Sequence, residues 1–355
     1  MDIKVLAVEI EKIQEHPQAD ALEIVFVGGW QVVARKGRHK KGDIVIHIPP
    51  EAMVPWDIAE KWGVAKYLSG YDKKFQQGHK YEKSGRVKSL KIRGEISHGF
   101  IVQNEDNLPL NEDASEFYGI EKYEEPEELE VGLIARKHPY IFTYTDIQHI
   151  NNFKRAITAG ENIVATEKIH GTNSVVVLAP VDGNPEMDRE LLIASKRFRR
   201  RIGENSIYEK PILLYPQIEE MLNCLYDHNV IHIYGEIYGN QIQKGYPYNT
   251  NLVDYVAFDI SINGKFLNYD EFKEITDNFG IPTAPEIYRG PFDFDHLKFL
   301  AKGLSVLAGG KHIREGIVIR PEKEKIDKKL GRVILKIVSD EFNLKRDKNR
   351  DELNG

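Results

Sequence analysis

The N-terminal part of the chain alternates apolar and polar residues in short bursts. Residues 3–13, 22–27, 30–34, 43–48 and 94–102 each follow the period of two expected of half-buried strands. The turns between them are marked by His16-Pro17-Gln18-Ala19-Asp20 and by Gly28-Gly29. From 104 to 130 the composition becomes acidic and poor in strand formers, which marks a linker or a wrapping loop. Strand patterns resume at 162–166, 174–178, 191–197, 230–238 and 255–262, the last closed by the hairpin signal Asn263-Gly264. Those at 316–320 and 333–338 are joined by a charged hairpin around Lys328 and Gly331. Helical spacing is confined to a short helix beginning at Asp146, to 211–227 with Ile218, Met221, Leu222 and Leu225 on one face, to 269–279 ahead of Gly280 and Pro282, and to 293–308.

Close-set short strands followed by strands mixed with helices predict an α+β chain of two domains, 1–138 and 139–355, the first a small β-barrel of the OB kind with the acidic linker at its end. Composition changes this little. With 41% hydrophobic and 29% charged residues the chain reads as globular, and no apolar run approaches the ~18 residues of a membrane span. Met1-Asp2-Ile3-Lys4 enters a strand pattern directly, so a cytoplasmic protein without membrane contact is expected. A single cysteine, Cys224, excludes an intrachain disulfide and a cysteine-rich zinc site. The net charge of −6 argues against a general polycation but not against local basic tracts. In the first domain these are 35–41, with Lys36, Arg38, Lys40 and Lys41, and 83–93, with Arg86, Lys88 and Lys91. They suit a phosphate backbone, with Trp30, Trp56 and Tyr67 as stacking faces, or are solvated loops beside core aromatics. A third run, 197–201, lies in the second domain.

Candidate chemistry centres on Glu167-Lys168-Ile169-His170-Gly171-Thr172-Asn173, between two strand patterns, with Gly171 expected to let the chain reverse. A lysine nucleophile near neutral pH needs desolvation or neighbouring cations, so other basic groups should converge on Lys168. Lys-x-x-Gly alone also describes a surface lysine before a turn, but the whole string is far more specific. It resembles motif I of the covalent nucleotidyltransferases, and in the form Lys-x-His-Gly-Thr-Asn it resembles the T4 RNA ligase 2 group of RNA ligases.

Further strings fit that resemblance, in the superfamily's order. Lys196-Arg197 resembles motif Ia, Glu236 in Tyr-Gly-Glu-Ile-Tyr-Gly motif III, Phe258 in Tyr-Val-Ala-Phe-Asp-Ile motif IIIa, Glu315 in Arg-Glu-Gly-Ile-Val-Ile-Arg motif IV, and Lys336 in Val-Ile-Leu-Lys-Ile-Val motif V. The resemblance implies that Lys168, His170 and Lys336 are catalytic. It implies that Glu167, Asn173, Arg197, Glu236, Phe258, Glu315 and Lys336 hold the nucleotide, that Glu315 also binds the metal, and that Lys196 and Arg197 meet RNA. Taken singly, Phe258 is also a core residue, Glu236 and Glu315 edge charges, and Lys336 a snorkelling strand lysine. The group's second motif V lysine is missing, since Ile334 and Val338 occupy the flanking positions, leaving Arg320 or Lys345 to supply that charge.

The implied fold is an OB-like barrel followed by a covalent nucleotidyltransferase domain, ATP-grasp-like with antiparallel sheets, in the order typified by Deinococcus and Naegleria RNA ligases. Pieces 16–23 and 93–99 also resemble tRNA-binding OB modules. The implied activity is ATP-dependent joining of RNA 3′-hydroxyl and 5′-phosphate ends through lysyl-AMP, with Mg2+ or Mn2+, by a monomer acting on nicked duplex RNA or an RNA/DNA hybrid. A capping guanylyltransferase, a small DNA ligase and a non-catalytic OB-type RNA-binding adaptor remain alternatives at this point.

Overall fold

The computed structural model describes residues 3–74, 76–79, 81–123, 134–135, 138–181, 188–196, 198–203, 205–227, 229–240, 242–243, 246, 248 and 251–345. Two compact units divide the chain, one formed by Met1–Pro126 with Asn343–Gly355 and the other by Glu127–Phe342.

In the first unit the long strand Leu6–Glu15 organises a five-stranded antiparallel sheet. Its first half pairs with Ile44–Ile48 and its second half with Leu22–Val27, with a register shift between Ile10 and Lys12. A bulge of this kind bends and twists its strand, which curls the sheet. Trp30–Arg35 and Phe100–Gln103 form the two edges. Alternation along Leu6–Glu15 sends Ala7 to one apolar cluster and Val8 and Ile10 to another. Residues 104–123 are not a linker. Ala114, Tyr118 and Ile120 are buried in the core, and Glu121–Lys122 pairs with the strand Ala52–Pro55. The rest of that expected linker, 124–130, lies outside the described residues.

Two sheets build the second unit. A six-stranded antiparallel sheet orders Arg199–Arg200, Arg189–Ser195, Thr172–Pro180, Ile231–Gly239, Val253–Ile262 and Lys265–Phe266. The five-stranded sheet orders Gln148–His149, Leu335–Val338, Gly316–Pro321, Asn162–Glu167 and Glu286–Pro291. The period of two decides what each face covers. Val176 and Leu178 pack with Ile218, Met221 and Leu222 of the helix Gln217–Leu225, while Val175 and Val177 pack with Tyr144, Ile334 and Val318. The apolar spacing over 211–227 predicts one helix, but two form, Lys210–Leu214 and Gln217–Leu225. Pro216 lacks the N–H a helix interior requires and forces Tyr215 out of the helical region. The expected helix at Asp146 is instead the short strand Gln148–His149 and a 3-10 turn, and 293–308 is helical only over Phe294–Leu300. Tyr269–Asn278 forms as expected, with Asn268 and Glu271 in a capping box. Among the described residues no helix is long and apolar enough to cross a membrane.

Candidate active site

Lys168 stands where the chain leaves one sheet for the other. Asn162–Glu167 pairs with Gly316–Pro321, whereas Thr172–Pro180 pairs with Ile231–Gly239, so no hairpin reverses at Gly171. Glycine is required there for a different reason. A Cβ on Gly171 would lie 2.2 Å from the Ile237 carbonyl oxygen and 2.9 Å from Glu236 Cγ. The Lys168 N–H donates to the Gly316 carbonyl at 2.9 Å, which pins the lysine's backbone to the neighbouring strand.

Between the sheets lies a pocket of about 210 Å3. Lys168 lines it together with Asn173, Glu236 and Phe258 from the six-stranded sheet and Val318 and Lys336 from the five-stranded one. Asn173 and Glu236 are cross-strand partners. Phe258 is presented by a bulge, because Tyr234 pairs with Asp259 and Gly235 with Ala257, leaving Phe258 as the extra residue. Bulges re-aim side chains next to active sites. Thr166, Glu167, Tyr144, Asp146, Lys196 and Arg320 complete much of the wall.

The charges of the site meet at Glu315. One of its oxygens is 2.8 Å from Lys168 Nζ, and the other faces His170 Nδ1 at 3.4 Å. Burial alone would push the Glu315 carboxyl up, but the Lys168 ammonium and then His170 hold it well below the usual carboxylate range. Glu236 goes the other way. Its burial outweighs the attraction of Lys168, Glu315 repels it, and its carboxyl is pushed up to about 8. Burial likewise raises Glu167, whose Oε2 accepts the Val306 N–H at 2.8 Å and lies 3.9 Å from Arg314 Nε.

The pocket thus gathers Glu167, Lys168, Asn173, Lys196, Glu236, Phe258 and Lys336, and Lys168 brings Glu315 and His170 beside it. Arg197 lies outside the described residues. The convergence of cations expected on Lys168 is only partly seen, since Lys336 shares the pocket but the nearest charge is the Glu315 carboxylate. Arg320 lines the pocket with its guanidinium engaged, Nη1 bonding Asp259 at 3.1 Å. Asp259 also binds Arg332 at 2.6 Å and accepts the Tyr144 hydroxyl at 2.7 Å. Tyr144, Asp146 and the Asp259 network carry no local sequence signal of a site. Asp146, 3.4 Å from Lys196, was obscured by the helix expected there.

In the first unit Lys36, Arg38, Lys40, Lys41 and Lys91 are exposed and Lys88 is half-buried. Arg86 is not a surface residue. It is 2% exposed, forks onto Glu51 at 2.6 and 3.1 Å and lies over the Tyr123 ring, so it is a structural anchor rather than an RNA contact. Trp56 is likewise core, while Tyr67 is 66% exposed.

Three buried oxygens suit a ligand-binding role. Among the described residues Glu167 Oε1, Asn173 Oδ1 and Glu315 Oε2 make no hydrogen bond, the last having only the ion-pair approach of His170 at 3.4 Å, and such groups call for an explanation. Among the described residues no group of three or more His, Cys, Asp or Glu side chains could hold a metal ion. Glu315 alone fits a hard cation that keeps most of its ligands from water and phosphate oxygens, as magnesium does.

A curled OB-fold domain followed by a lysine pocket between an antiparallel sheet and a mixed one, in which only Gln148–His149 and Leu335–Val338 run parallel among the described strands, is the architecture of a ligase of the nucleotidyltransferase class. The OB-fold domain model matches residues 5–104. Over residues 161–338 the sequence matches the RNA ligase family model, and the chain belongs to that family. Its fold is shared by solved structures of Naegleria gruberi RNA ligase. A mutant form with ATP and manganese matches with a TM-score of 0.77 at 19% identity, over 96% of this chain and 98% of that one. The form with pyrophosphate matches with a TM-score of 0.76 at 20% identity, over 98% and 99%. Another mutant, with AMP and manganese, matches with a TM-score of 0.78 at 19% identity, over 96% and 98%. No curated protein matches the sequence. Family membership makes the chain an enzyme that acts on RNA ends, and sets aside the capping, DNA-ligase and non-catalytic adaptor readings.

Proposed function

We propose that this RNA ligase is ATP-dependent and that Lys168 is its nucleophile. The observation that carries the reading is that Lys168, Asn173, Glu236, Phe258 and Lys336 line one pocket with Glu315 at hydrogen-bond distance from the lysine. Once deprotonated, the Lys168 amine attacks the α-phosphorus of ATP. An N–P bond forms, the bond to the β-phosphate oxygen breaks, and pyrophosphate leaves. A 5′-phosphate oxygen then takes the AMP and frees Lys168, and a 3′-hydroxyl attacks that phosphate, loses its proton and expels AMP.

Phe258 offers an aromatic face for the adenine, while Glu236 and Asn173 hold ribose hydroxyls. Glu236, its carboxyl raised to about 8, can also donate a hydrogen bond. Lys336 and Lys196 stand ready for phosphate charge, with Arg197 as the further contact. His170 orients Glu315 and acts after the lysine is loaded. Glu315 would hold magnesium or manganese, whose charge favours the phosphoryl transition state. The ATP, AMP, manganese and pyrophosphate of the Naegleria gruberi structures support the same substrate chemistry here.

We assign Lys36, Arg38, Lys40, Lys41, Lys88 and Lys91 to phosphate contacts. The proposed substrate is a nicked RNA duplex or RNA/DNA hybrid, handled by a monomer in the cytoplasm. Incubation with α-labelled ATP and magnesium, followed by a denaturing gel, tests the first step. A labelled band lost in Lys168→Ala supports the reading, and no band from folded wild type would sink it.

A further inference from the structure

The loop Lys168 to Gly171 has no sheet partner of its own across His170, so its backbone polar groups must be satisfied elsewhere. The His170 N–H donates to the Tyr248 hydroxyl at 2.5 Å. The Gly171 N–H donates to Glu236 Oε1 at 3.2 Å, and the Gly171 carbonyl accepts from Gln243 Nε2 at 2.8 Å. Two of these three partners come from the connection between the strands Ile231–Gly239 and Val253–Ile262, a stretch with no assigned role.

The described residues of that connection are themselves constrained. Tyr248 is 3% exposed, and its ring sits against Tyr246 at 4.7 Å and Tyr238 at 4.9 Å. It holds a φ of +51°, a left-handed conformation that strains any residue with a Cβ. Such strain persists only where the surroundings over-determine it, and it clusters at functional sites. The Tyr246 hydroxyl donates to the Ile313 carbonyl, and its ring meets His170 edge-on at 5.5 Å. One connection therefore grips the backbone that follows Lys168 and the segment that leads to Glu315.

We infer that Tyr248 and Gln243 are positioning residues for the adenylylation step, a side-chain clamp that fixes the Lys168–Gly171 backbone so that the amine meets Glu315 and the nucleotide in one register. The inference rests on the assignment of Lys168 as nucleophile. Neither residue touches the reacting atoms. Their effect passes through His170 N–H and Gly171 C=O, and small displacements of a reacting group are enough to cost large factors in rate.

The test is single-turnover adenylylation of the full chain at saturating α-labelled ATP with magnesium. Tyr248→Phe keeps the ring and its packing and removes only the hydroxyl, while Gln243→Met keeps the side-chain length and removes the donor without adding charge. Each is expected to slow the rate constant about tenfold to a hundredfold. The labelled fraction, the half-saturating ATP concentration and the midpoint of the pH–rate profile should all stay as in wild type. The double variant should lose less than the product of the two single losses, because both act on one loop.

A Tyr248→Phe rate constant equal to wild type would overturn the clamp. So would a loss confined to the labelled fraction and the melting temperature, which is what mere misfolding produces. Failure of the underlying reading looks different: wild type then forms no adduct, or Lys168→Ala keeps one.

Discussion

Glu315 holds Lys168 through a 2.8 Å ion pair in a setting where the carboxylate is only 8% exposed. Two strands create this meeting, since Lys168 follows directly on Asn162–Glu167, and Glu315 directly precedes Gly316–Pro321, its antiparallel neighbour. Replacing Glu315 by Gln keeps the volume but leaves the ammonium with a neutral partner. The rate of labelled adduct formation should fall about a hundredfold or more, the scale set by losing one preorganised electrostatic partner. A rapid-quench time course at saturating ATP reads it, and a wild-type rate would show that Glu315 plays no part in the first step.

Gly171→Ala tests the close approach of motif I to Ile237. The backbone there is not left-handed, so the obstacle is steric, with the new Cβ 2.2 Å from a carbonyl that is itself fixed in a sheet. Overpacking of this kind costs about 1–3 kcal/mol. Urea denaturation should show a lower midpoint, together with slower labelling of Lys168. An unchanged midpoint would mean that the two strands part without cost.

The site carboxylates give opposite pH dependences. Glu236 is raised from its ordinary 4.5 to about 8, so the stability it contributes is full below 4.5 and lost as pH rises through about 8. Glu315 is depressed, so its contribution is full above 4.5 and lost as pH falls. Melting temperatures of wild type and Glu236→Gln should therefore diverge between about pH 4.5 and 8, with wild type falling relative to the variant. Parallel curves across that window would refute the assignment.

How much of this site could be read from the chain depends on how local each signal is. Lys168 follows directly on a strand, Glu236, Phe258 and Lys336 lie within strands, and each sits in a short string whose resemblance to a ligase motif singles it out. That Phe258 faces the pocket depends on a bulge that no period of two reveals. The bond between His170 and Tyr248 joins positions 78 residues apart, and neither string points to the other. Arg86 shows the same limit for charge. Within a basic run, burial against Glu51 and Tyr123 cannot be told from exposure to solvent.

Asp259 sits fully buried between Arg320 and Arg332, one residue after Phe258. Removing one partner of a buried ion pair typically costs about 3–5 kcal/mol, because the remaining charge is left uncompensated. Asp259→Ala should therefore unfold at distinctly lower urea than Phe258→Leu, which loses aromatic surface and no charge. It should also raise the ATP concentration needed for labelling, since Arg320 lines the pocket. Equal stability of the two variants would show that the arginines find other partners.

The basic residues of the first unit separate into two kinds, and salt distinguishes them. Lys40 and Lys41 are exposed, whereas Arg86 is buried against Glu51. If the lysines meet RNA phosphates, Lys40→Ala and Lys41→Ala should each lower the slope of log affinity against log salt by about 0.7–0.9, the counterion release of one phosphate contact. Adenylylation of Lys168 should not change, because that step needs no RNA. Arg86→Ala should leave the salt slope alone and instead cost about 1–3 kcal/mol of stability, the penalty for stranding a hydrogen-bonded carboxylate. RNA-binding titrations at several salt concentrations, paired with urea melts, separate the two. A lowered salt slope in Arg86→Ala would return Arg86 to the RNA surface, and unchanged slopes in the lysine variants would remove Lys40 and Lys41 from it.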